Sequence, residues 1–266
     1  MLWQLRAGLI LLGGAFRATA QYRANIFSNM AAGAAFQTVG LIGLWVILNR
    51  FGEVAGWTMS DVALMYGLRL TAHAAWAVPL NQLMEIEHQV REGLIDRYLV
   101  RPVNPLVQLL TGRVRLNVFG DLAAGLILLA VAASRADVDW TPARLAFLVL
   151  AILGGGMIEG GFQLGLAAIS FRTLGTSEMR FTVDTIFNLY GNYPAKIFSV
   201  PGQIALSVLP VAFVAYLPTC ALLGRDSGLP LPDWAGYAAP GLGLLIATGG
   251  YLFWRSQLRN YQGAGS

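Results

Sequence analysis

Long apolar runs recur along the whole chain, separated by short clusters of arginine, glycine and proline. Six of them, at residues 26–48, 62–82, 116–133, 145–169, 181–198 and 240–254, predict membrane-spanning helices. About twenty apolar residues wound as a helix cross a hydrocarbon core roughly 30 Å thick. A helix also bonds its own backbone groups, as lipid demands. Strands of a membrane barrel would alternate apolar and polar positions, and the run at 122–133 does not. A shorter run at 7–15 leads into Arg17 and Arg23 rather than a small-residue cleavage site. It reads as an N-terminal interfacial helix retained in the mature chain. Residues 181–223 are too long for one span, and counting them as two would give an odd total. Prolines 194, 201, 210 and 218 break this stretch, because proline lacks a backbone donor. The fifth span therefore ends near 198, and 203–223 is expected to be a broken, re-entrant or interfacial pair on the outer side. The fold class is an all-α integral membrane protein, with residues 1–266 forming a single domain.

Composition agrees with lipid as the main solvent: 56% of the 266 residues are hydrophobic and 12% charged, against about a quarter charged in soluble domains. Even span number puts both termini on one side. Placing them inside assigns Arg6, Arg17, Arg23, Arg91, Arg97, Arg101, Arg113, Arg115, Arg172, Arg180, Arg255 and Arg259 to the cytoplasm. Arg50, Arg135, Arg144, Lys196 and Arg225 lie outside. That bias satisfies the positive-inside rule, and the basic charge points to no nucleic-acid role, since the arginines form no single patch. One cysteine, Cys220, and two histidines, His73 and His88, supply neither a disulfide framework nor a cysteine or histidine metal cluster.

The connection between the second and third spans is the most charged part of the chain. Ile86, Val90 and Leu94 recur at four-residue spacing and predict one apolar helical face. Glu85, Glu87, Arg91, Glu92, Asp96 and Arg97 make the rest polar, and Pro102 and Pro105 end the element. Such a helix could float among headgroups. A lipid-seeking helix favours basic residues, however, and this mixture suits docking to a protein. The stretch Arg91-Glu-Gly-Leu-Ile-Asp-Arg-Tyr-Leu-Val-Arg-Pro-Val-Asn-Pro, the later Leu189-Tyr-Gly-Asn-Tyr-Pro, the pair Val208-Leu-Pro and Tyr216-Leu-Pro, and the six-span pattern resemble the ABC-2 permease family, in particular its short bacterial exporter permeases. The resemblance covers nearly the whole chain. It implies that the charged connection is a coupling helix seated on an ATPase subunit, and that the segment before the last span is re-entrant.

A P-loop needs phosphate-cradling glycines followed by Lys-Ser or Lys-Thr. The only lysine, Lys196, is followed by isoleucine, so ATP and magnesium are expected on a partner ATPase and no cofactor on this chain. The resemblance implies two ATPase copies and a second permease, either this chain or a paralogue, in a bacterial inner membrane. Within the spans, Arg69, His73, Asp121 and Glu159 stand out, because intramembrane charges are costly unless paired or wet. Asp121 and Glu159 are alternative counter-charges for Arg69; the same groups could instead line a water or substrate path, or couple protons. His73 shares a helical face with Arg69. Glycines 154, 155, 156, 160, 161 and 165 predict close helix packing in the fourth span, and six of the tryptophans read as interfacial anchors, with Trp76 deeper.

The expected function is export of an amphipathic drug, lipid or natural product. A gradient-driven transporter using Asp121 and Glu159 is the alternative, and it would work without an ATPase. A membrane enzyme, such as a lipid transferase, is disfavoured by the absence of a nucleophile–base pair or acidic metal motif.

Overall fold

The computed structural model describes residues 56–263, except 113, 114, 116 and 174, together with scattered positions between 8 and 50. The helix expected at 7–15 and the first span expected at 26–48 lie largely outside the described residues. Among those residues the protein is 77% helical and has no strand.

Helix α1, Met59–Leu80, starts where sequence chemistry says it should. Thr58 caps it, and Asp61 returns a bond to the Thr58 N–H, closing a capping box that satisfies two orphan donors. Pro79 loosens its end into a 3₁₀ turn, Asn81–Glu85. Two short helices follow, α2 (Ile86–Arg91) and α3 (Leu94–Leu99), then α4 (Pro105–Thr111), capped by Asn104 with proline at its first turn. The remaining helices are α5 (Asn117–Ala133), α6 (Pro142–Ile169), α7 (Thr176–Tyr190), α8 (Val200–Val208), α9 (Tyr216–Leu223) and α10 (Ala239–Arg259).

Among the described residues, α6 alone is both long and apolar enough to cross a membrane by length and composition. Its 28 residues span about 42 Å. The other expected spans correspond to helices that are shorter or more polar. α5 is apolar but has 17 residues, and α1 carries Asp61, Arg69 and His73. α7 differs most from expectation: the span predicted to reach 198 stops after 15 residues. Gly191 ends it, and Pro194 opens a 3₁₀ turn at Ala195–Ile197. Residues 203–223 contain α8 and α9, separated by a turn around Pro210.

Close contacts fix the relative directions of the helices. A Cβ on Gly67 would meet Leu129, and one on Gly125 would meet Thr71, so α1 and α5 are antiparallel. Gly155 and Gly156 lie against Ala72, and Gly160 against Trp76 and Leu80, so α1 and α6 are parallel. Gly154 lies against Ala239 and Gly161 against Ala247, making α6 and α10 parallel too. Arg69 of α1 reaches Phe187, whereas residues 83 and 84 just beyond α1 meet Arg180, so α7 runs antiparallel to α1. The five longest described helices thus alternate in direction along the chain.

α6 is the hub of this bundle, because its glycines point two ways. Gly156 and Gly160 admit α1, while Gly154 and Gly161 admit α10, where an added Cβ would come within 2.6 and 2.8 Å of backbone. Small residues let backbones approach and gain dispersion contacts that lipid cannot match. Apolar cores occupy the two ends: Met65, Tyr66, Leu129 and Leu217 at one, and Ile86, Val90, Ile95, Leu109, Phe171 and Trp254 at the other. Between them lies a polar centre.

Candidate functional site

Arg69 and Glu159 are almost wholly buried, at 0% and 2% side-chain exposure, and their charged groups stand 3.4 Å apart. Glu159 can approach α1 because Gly156 and Gly160 flank it on the facing side. Its Oε2 accepts a hydrogen bond from the Trp76 indole at 2.8 Å and lies 2.8 Å from His73 Nδ1. With Glu159 ionised beside Arg69, this contact needs the hydrogen on His73 Nδ1, and the Trp76 indole nitrogen lies 3.3 Å from the same atom. Arg69 extends the network across to α7, where Nε donates to the Phe187 carbonyl at 3.2 Å and Nη2 to Asn188 Oδ1 at 3.0 Å. Asn188 in turn donates to the Asp184 carboxylate at 2.9 Å. Gly191 makes room: a Cβ there would sit 3.0 Å from Arg69 Nε.

Three helices therefore meet on one guanidinium. Burying a charge is tolerable only when it is paired and hydrogen-bonded, and this one has a carboxylate, a side-chain amide and a helix-terminal carbonyl. The last is favourable on its own account, because the C-terminal end of a helix carries partial negative charge.

Of the four intramembrane candidates, Arg69, His73 and Glu159 come together. Asp121 stands on α5, within electrostatic reach of Tyr66. Trp76, marked in the sequence only as the deeper tryptophan, belongs to the cluster, as do Asp184 and Asn188, which were not singled out from sequence. The spacing of Asp184 and Asn188, four residues apart in a helix, was the available signal.

The connection at 85–97 departs from a single amphipathic helix. Gly93 adopts a left-handed conformation, φ +63°, and splits it into α2 and α3. The apolar stripe is consequently Ile86, Val90 and Ile95, all buried, with Leu94 displaced to a half-buried position. Glu87 turns inward. Its carboxylate accepts from the backbone N–H groups of Gly175 at 3.0 Å and Ser177 at 2.8 Å, and from the Arg91 guanidinium at 3.0 Å. It thereby caps the start of α7, where Gly175 has no side chain to do so. These backbone bonds and the Ser177 hydroxyl hold its carboxyl down to about 2 from the usual 4.5. Hydrogen bonds to a charged group contribute about 1.5–3 kcal/mol each. Arg180 returns the contact from α7, donating to the Leu83 and Met84 carbonyls.

The remaining charges face outward. Glu92, Arg91, Arg97 and His88 are exposed, Asp96 is half-buried, and Glu85 pairs with Arg115 at the surface. With Leu99 and Val100, the latter 84% exposed, they form a mixed polar and apolar surface. Beside it opens a cleft of about 690 Å³ bordered by Val90, Arg91, Phe171, Arg172 and Tyr261.

Such a helical bundle, with a buried ion-pair centre and a charged surface at one end, has the form of a membrane transport component. Residues 34–265 match the family model described as ABC-2 family transporter protein, and the chain belongs to that family. Permeases of this family work with ABC ATPase subunits, typically as dimers, and are generally non-catalytic themselves. Comparison with curated proteins and with solved structures returns no match.

Proposed function

We propose that this chain is the membrane half of an ATP-driven exporter, with ATP and magnesium bound by a separate ATPase subunit that docks on the surface formed by α2 and α3. Family membership over residues 34–265 is the observation that carries this reading. The exposed Glu92, at the turn between α2 and α3, and the exposed Arg97, within α3, support the docking position. Alternation of five helices supports a multi-span bundle, crossing a bacterial inner membrane with both termini cytoplasmic. The ends that meet near Arg180 then face the cytoplasm, with α2 and α3 beside them. A second copy, or a paralogue, completes the pathway. The cargo is an amphipathic drug, lipid or natural product, in keeping with apolar helices carrying few charges.

The test is affinity purification from the native membrane. An ATP-binding subunit should accompany the chain, and charge reversal at Glu92 and Asp96 should release it. A chain that purifies alone and transports without any ATPase would overturn the reading in favour of a gradient-driven one.

A further inference from the structure

Helix α7 is fastened at both ends by one continuous stretch of chain. At its start, the Glu87 carboxylate accepts from the Gly175 and Ser177 N–H groups. Near its end, Arg69 donates to the Phe187 carbonyl and to Asn188. Each charge complements the helix dipole at the terminus it occupies. Arg180, 1% exposed, ties the first turns of α7 back to the Leu83 and Met84 carbonyls of the same stretch. Residues 69–87 therefore hold α7 through three separate polar attachments, all largely shielded from water.

We propose that α2 and α7 move as one rigid body, so that displacement of the docking surface is conveyed to α7 through Glu87 and Arg180 and onward to the Arg69–Glu159 centre. This rests on the ATP-driven reading above. Glu87 is then a positioning residue rather than a docking group: it holds α7 to the segment that the ATPase moves. What moves with α7 is its uncovered side, bearing Phe181, Thr182, Thr185 and Leu189, and the middle of α1, where Arg69 stands. A structural path becomes a mechanical one only if breaking it uncouples its two ends.

Spin labels can decide this in inside-out vesicles from the native cell, in a Cys220→Ser background. Labels are placed by Glu92→Cys on the docking surface, Thr182→Cys on α7, and Leu150→Cys on the exposed side of α6 as a reference. On adding MgATP with vanadate, the 182–150 and 92–150 distances should both shift while 92–182 stays fixed. In Glu87→Gln, residue 92 should still shift, the shift at 182 should shrink to what the Arg180 attachment still carries, and the 92–182 distribution should broaden even without nucleotide. Ser177→Pro gives an independent arm, because proline in a first helical turn removes the N–H without breaking the helix. A 182 label that follows 92 equally well in both variants, or a 92–182 distance that changes with nucleotide in the wild type, overturns the clasp. Nucleotide-insensitive distances throughout the wild type overturn the ATP-driven reading itself.

Discussion

Replacing Arg69 with methionine tests whether the polar centre holds the bundle together. The change removes two hydrogen bonds, to Phe187 and Asn188, and the ion pair with Glu159. It leaves a carboxylate with 2% exposure without its guanidinium. Removing one partner of a buried pair costs about 3–5 kcal/mol, equivalent to a fall of roughly 6–20 °C in Tm at about 2–4 °C per kcal/mol for a chain this size. Glu159→Gln in turn leaves the buried guanidinium without its counter-charge, eased by the bonds Arg69 keeps to Phe187 and Asn188. Combining the two leaves neither charge buried, so the double variant should be more stable than the sum of the single losses predicts, by about 2 kcal/mol, within the usual range for coupled neighbours. The assay is thermal unfolding of the detergent-solubilised protein, followed by size-exclusion chromatography after heating. Strict additivity, or a loss under about 1 kcal/mol for Arg69→Met, would refute the claim that these charges depend on each other.

Three other outcomes are expected. Gly161→Leu should push α10 away from α6 and cost about 1–3 kcal/mol by overpacking, whereas Gly165→Ala, with nothing within 4 Å of its Cβ position, should leave Tm unchanged or slightly higher. The Glu87 carboxyl titrates at about 2 when folded against 4.5 ordinarily, so its contribution is fully present above pH 4.5 and fades as pH falls toward 2. Melting curves from pH 6 to 3 should show that acid loss in the wild type and less of it in Glu87→Gln. At the other end, Arg225 bonds Asp61 at 2.8 Å, and Arg225→Ala should increase proteolysis in the loop after α9.

Helix positions were largely legible because proline, glycine and cap residues punctuate the apolar runs. Thr141-Pro142 opens α6 as local chemistry requires, whereas Gly191, which closes α7, was outweighed by an apolar run continuing to 198. Arg69 and Glu159 were legible as costly charges, since lipid tolerates few of them, whereas Arg180, equally buried, read as a cytoplasmic arginine. Which carboxylate answers Arg69 was not, because Asp121 and Glu159 are equally acidic in the sequence, and only the glycines around Glu159 bring its helix onto α1. Glu87 was indistinguishable from its charged neighbours for a similar reason. Its partners are backbone N–H groups 88 and 90 residues away, and backbone leaves no mark on a residue pattern. Gly93 carried a visible signal, but the four-residue spacing of Ile86, Val90 and Leu94 outweighed it in reading one helix where there are two.

The brevity of α7 bears on the bilayer itself. Fifteen helical residues rise about 22 Å, short of a hydrocarbon core roughly 30 Å thick. Past Gly191 the chain goes on through an irregular stretch to the 3₁₀ turn at Ala195–Ile197, and irregular backbone at membrane depth has to face protein or water. In the orientation proposed above, lipids beside the end of α7 would either thin to meet it or give way to a wet notch. For the amphipathic cargo proposed above, such a notch would offer hydration well before the far headgroups.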